Sequence, residues 1–107
     1  MNYRETAETE LFKKKLAKHE EICRGLHELY EAKNADYGDS VGKTYQDFGI
    51  VSFATRISDK YNRMVELVKG HQPKVNDERL VDTFKDMANY CLLAVLELEM
   101  EEENETD

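Results

Sequence analysis

The chain has 107 residues, of which 40% are apolar and 36% charged. That is one domain's length, with enough Leu, Val, Ile and Phe for a core, which excludes disorder throughout. No apolar run approaches the roughly 18–20 residues of a membrane span, and the opening MNYRETAETELFKKK has no signal-peptide stretch. One proline and five glycines are too little punctuation for a many-stranded sandwich or barrel. These features predict a cytoplasmic protein with no membrane partner. Of the net charge of −8, seven negative charges lie between Glu97 and Asp107, a stretch without a base. The remainder is nearly neutral and shows no basic stripe, so duplex nucleic acid is not a predicted partner.

The first element is a helix from about Thr6 to Lys33. Its apolar seam is Phe12, Leu16, His19, Cys23, Leu26 and Tyr30, at spacings of 4, 3, 4, 3 and 4. His19 on that seam reads as a satisfied core histidine. Asn34 to Val51 reads as a glycine-containing loop with Tyr37, Tyr45 and Phe48 and room for a short helix, and loops of this length tend to be functional. Phe53, Ile57, Tyr61, Met64 and Val68 mark a second helix from about Ser52 to Lys69, ended by Gly70 and Pro73, with His71 in the turn. Leu80, Phe84, Met87, Cys91, Val95 and Leu98 mark a third, with Asn76 or Asp77 as its cap.

The predicted fold class is therefore all-α: an antiparallel bundle of three long helices in a single domain over residues 1–98, with residues 99–107 as a disordered acidic tail. Val81, Ala88, Leu92 and Leu93 widen the apolar face of the third helix beyond what a small monomer buries. A homodimer or higher oligomer is the expected completion. Cys23 and Cys91, far apart and with spacing wrong for zinc, read as reduced, buried thiols.

Two polar stripes carry candidate chemistry. Glu28 and Glu31, three apart beside His27, project from one face of the first helix. Glu78, Asp82, Asp86 and Asn89 form an oxygen-rich stripe on the third. Facing each other, such stripes would make an oxygen cage suited to Mg2+, or to Mn2+; the alternative is two solvated faces with local ion pairs. Arg56, Asp59, Lys60 and Arg63 crowd one face of the second helix. Cations beside metal-bound carboxylates are what a triphosphate requires, and surface salt bridges are the alternative. In Lys33-Asn34-Ala35-Asp36-Tyr37-Gly38, with Tyr45 and Phe48 beyond, rings can stack on a base while Asn and Asp read its edge or a sugar hydroxyl; or the rings close the core. Gly38-Asp39-Ser40-Val41-Gly42-Lys43-Thr44 superficially matches a phosphate-binding loop, but only three residues separate its glycines and no strand precedes it.

The stretches KNADYGDS, RISDKYNRM and DERLVDTFKDMANYCLLA, between Lys33 and Ala94, resemble the nucleotide-modification-associated domain family of phages and bacteria, itself similar to the MazG-like all-α nucleotide pyrophosphohydrolases. The resemblance implies a dimeric helical bundle that cleaves the α–β bond of nucleoside triphosphates with magnesium. Glu28-x-x-Glu31 stands for part of the family's glutamate-rich helix, without its leading glutamate pair. Asp82-x-x-x-Asp86 stands for the second motif at a spacing of four rather than three.

The expectation that follows is a Mg2+-dependent nucleotide pyrophosphohydrolase acting on a nucleoside polyphosphate or modified nucleotide. Glu28 or Glu31 is the catalytic base, and Glu28, Glu31, Asp82 and Asp86 are the metal ligands. Lys33, Asn34, Asp36, Tyr37, Arg56, Lys60, Arg63 and Asn89 contact the substrate. The alternatives are a non-catalytic protein that sequesters a nucleotide, for instance a phage-encoded counter-defence factor, and a helical interaction module.

Overall fold

Three glycines in left-handed backbone punctuate the chain: Gly38 at φ 71°, Gly49 at 74° and Gly70 at 87°. Each follows the last turn of a helix, where a residue without Cβ reverses the backbone at no steric cost. The computed structural model describes residues 3–70 and 79–106, and every regular element in them is helical. The helices are α1 (Tyr3–Tyr37), α2 (Ser40–Phe48), α3 (Val51–Val68) and α4 (Leu80–Thr106). The all-α expectation is thus met with four helices in place of three. The proposed caps Asn76 and Asp77, and also Glu78, Pro73 and His71, lie outside the described residues.

Two boundaries differ from the sequence reading. Asn34 to Tyr37 is not loop but the last turn of α1, which ends where the Gly38 N–H bonds the Asn34 carbonyl at 2.9 Å. At its other end the chain does not leave the helix at Leu98, because α4 continues to Thr106. The short helix allowed for in the Asn34–Val51 segment is α2. Asp39 caps it, accepting from the Gly42 N–H at 3.1 Å. A Cβ at position 42 would run into that carboxylate, which is why this position is glycine.

The chain divides into two units at the Gly38–Asp39 junction. The first is α1, whose seam residues Phe12 and Leu16 are 62% and 54% exposed, while Leu26 is buried. The second is α2 to α4. Stepping back four residues along α3 from Lys60 to Arg56 advances four along α4 from Asp86 to Tyr90, so this pair runs antiparallel. Its core is Tyr45 from α2, Phe53 from α3, and Thr83 and Leu93 from α4. The Tyr45 and Phe53 rings lie 5.6 Å apart at 46°, within the range of favourable tilted aromatic pairs.

Both cysteines are free, as expected, but exposed rather than buried. Cys23 lies on the part of the α1 seam that its own unit leaves open, and Cys91 faces away from the α3–α4 contact. His19 is likewise exposed instead of sitting in a core, with its ring nitrogens 3.9 and 4.0 Å from the Cys23 sulfur.

Candidate functional site

Arg56, Lys60 and Arg63 recur at spacings of four and three, so α3 carries them as one row, and all three are half-buried. The row lies along the polar edge of α4. Lys60 Nζ meets Asp86 Oδ2 at 2.9 Å, with 27% of the lysine side chain and 44% of the aspartate exposed. The Arg56 guanidinium stands 5.7 Å from the centre of the Tyr90 ring, a cation–π contact. Asn89, beside Tyr90, is half-buried as well. Asp59, by contrast, is exposed. The structure therefore joins Arg56, Lys60, Asp86 and Tyr90 across α3 and α4, and Arg63 and Asn89 extend that face by helix spacing. Tyr90 belongs with them, and a sequence signal for it existed: it continues the stripe one turn beyond Asp82 and Asp86.

Asp82 has a different task. Its Oδ2 accepts from the backbone N–H of Arg79 and from Arg79 Nε, each at 3.3 Å. This is a carboxylate reaching back over the first turn of α4 to satisfy an orphan donor. The Arg79 side chain, then the Arg79 N–H, holds the Asp82 carboxyl below the usual carboxylate range. Thr83, fully buried, bonds the Arg79 carbonyl through both its N–H at 3.1 Å and its hydroxyl at 3.3 Å. The start of α4 is thus fixed by Arg79, Asp82 and Thr83 together.

Glu28 and Glu31 are both exposed on α1, one turn apart. Within either unit, among the described residues, no three His, Cys, Asp or Glu side chains come together as a metal site. Asp82 and Asp86 are two carboxylates, each paired with a cation, whereas Mg2+ takes six oxygen ligands. On their own these two do not make a resident magnesium site. Any ion they touch must bring most of its ligands with it, as water or phosphate oxygen.

At the end of α1, Lys33, Asp36 and Tyr37 are exposed, Tyr37 to 76%, and Asn34 is half-buried. Phe48 is also open, at 72%. Tyr45 is not available for stacking on a ligand: it is buried, and its hydroxyl donates to Glu101 at 2.7 Å. That bond pushes the Tyr45 phenol above its ordinary value. The residues resembling a phosphate-binding loop are helix punctuation, with Gly38 ending α1, Asp39 capping α2 and Ser40 to Thr44 forming its first turn. Glu101 escaped the sequence reading because it sits in a run of acids. Its place four residues after Glu97 and eight after Leu93 was the available sign that it continues a packed helix face.

Residues 33–98 match the family model described as nucleotide modification associated domain 1, and the chain belongs to that family. The match spans the end of α1 and all of the α2–α4 core but leaves Glu28 and Glu31 outside it. No curated protein and no solved structure matches the chain.

Proposed function

We propose that this protein binds a nucleoside polyphosphate or a modified nucleotide on the α3–α4 face. The observation that carries the reading is the half-buried row Arg56, Lys60 and Arg63 laid against α4 within the segment that defines the family. Guanidinium forks and an ammonium in a partly desolvated row suit phosphate oxygens. The Asp86 carboxylate is the resting counter-ion of Lys60, which a phosphate replaces. Asn89, half-buried on the same face, supplies hydrogen bonds for sugar or base. Magnesium enters as the counter-ion of the phosphates, with Asp82 and Asp86 as protein carboxylates beside it.

Hydrolysis is the second reading. It is favoured by the carboxylates Asp82 and Asp86, one turn apart on α4 beside the cation row. In it the protein is a Mg2+-dependent pyrophosphohydrolase, and a carboxylate would take a proton from the attacking water.

The test is calorimetric titration of a nucleotide panel with and without Mg2+, followed by product analysis. The binder is expected to retain unchanged nucleotide, and pyrophosphate release selects the hydrolase. Arg56→Ala or Arg63→Ala should weaken binding by roughly 1.5–3 kcal/mol, the scale of a charged hydrogen bond. Absence of binding across the panel overturns both readings.

A further inference from the structure

We propose that two copies of this chain pair in parallel and in register through the open seam of α1, from Phe12 to Cys23. The seam keeps a strict alternation of four and three, with Leu16 and Cys23 at one core position of a heptad and Phe12 and His19 at the other. Phe12 and Leu16 are more than half exposed, and His19 and Cys23 are exposed beside them. A 35-residue helix that leaves such a seam in water lacks the packing from which most helical stability comes.

The flanking charges choose the occupant and its direction. In a parallel pair, the residue preceding one core position meets the residue five further on in the other chain. Glu8 then meets Lys13 of the second copy, and Lys15 meets Glu20, each twice by symmetry. The next two such pairs are Ile22 with His27 and Leu29 with Asn34, and neither opposes like charges. An antiparallel pair centred on the same seam keeps only Lys13 against Glu20, and sets Lys15 opposite Ile22 and Glu8 opposite Leu29. The outward positions Lys14, Lys18, Glu21 and Arg24 are polar and exposed, as the solvent side of such a pair requires. The ion pairs Glu20–Arg24 and Glu10–Lys13 within α1 are themselves exposed and exchange readily for contacts across the seam.

Cys23 reports the geometry. In the parallel register the two Cys23 side chains share one layer of the seam. In the antiparallel arrangement they stand about 16 Å apart along the axis, from a rise of about 1.5 Å per residue.

The test uses the full chain in two variants, Cys91→Ser and Cys23→Ser, each leaving one exposed thiol. Sedimentation should give a dimer. Diamide oxidation should join the Cys91→Ser chains through Cys23 about tenfold faster than it joins the Cys23→Ser chains through Cys91, because pairing raises the local thiol concentration. Lys15→Glu or Glu20→Lys alone should weaken the dimer by about tenfold, and the two together should restore it, with circular dichroism confirming unchanged helicity. A monomer throughout, a Cys23 that joins no faster than Cys91, or a double variant that fails to recover each overturns the proposal.

Discussion

The two units of this chain use the same sequence device with opposite results. Both α1 and the α3–α4 pair carry apolar residues at helical spacing, yet Phe53 on α3 is 2% exposed and Phe12 on α1 is 62% exposed. The difference is the presence of a second helix. Antiparallel α3 and α4 supply each other's buried face, and α2 closes one end of it through Tyr45. A periodic seam predicts which side of a helix wants cover; it does not say from where the cover comes.

The largest expected effect breaks the comparison at its buried side. Phe53→Ala removes the most buried ring of the second unit, and such changes cost about 3–5 kcal/mol. The matching change on α1, Phe12→Ala, should stay within about 0.5 kcal/mol in dilute solution, as exposed positions do. Urea melts of the two variants side by side check both values. Equal losses would show that the two seams are equally buried.

A smaller effect is expected at the hinge between α2 and α3. Gly49 holds φ at 74° while its N–H bonds the Tyr45 carbonyl at 2.7 Å. Nothing crowds a Cβ there, so Gly49→Ala isolates the conformational cost of pairing φ 74° with ψ −161°, a region that essentially only glycine occupies, about 1–3 kcal/mol. Thermal melting with the nucleotide affinity read alongside would separate this backbone term from damage to the face bearing Arg56 and Lys60.

Much of this was legible from the residues. The all-helical class, the α1 and α3 seams and the grouping of Arg56, Lys60 and Arg63 follow from period and charge. The boundaries of the elements were less so. Asn34 to Tyr37 has no apolar spacing that a period could detect, yet it stays helical until Gly38, the first residue able to turn the backbone. The run Glu99 to Glu105 reads as solvated tail by composition, because one tyrosine–carboxylate bond leaves no mark on an average. Stripe spacing and the family resemblance point to Asp82 as a metal ligand, and neither shows that it also caps α4. Its bond to the N–H of Arg79 depends on where α4 starts, which periodicity fixes only to within a few residues.

The smallest effect sharpens a contrast along α4 itself, where two carboxylates respond to pH with opposite sign. Asp82 is held below the ordinary range by Arg79. Its contribution to stability is therefore present above the unfolded value of about 3.8 and is lost as pH falls through the lower folded value. Glu97 is pushed up, first by burial and then by the nearby Asp39 and Glu101 carboxylates. The folded state favours its neutral form, so its contribution is present below the unfolded value of about 4.5 and is lost as pH rises through the folded one. At neutral pH an ionised Glu97 is thus a small burden on the fold. Glu97→Gln, neutral at every pH, should raise the melting temperature at pH 7 and lose that advantage as the pH drops to where the native glutamate is itself protonated. Asp82→Asn should lower the melting temperature at pH 7 and converge on the wild type only below pH 4. Added salt should shrink the first difference, since two of its three causes are charge repulsion across solvent. Melting curves that show the same pH slope for both variants would mean that the two ends of α4 are electrostatically alike.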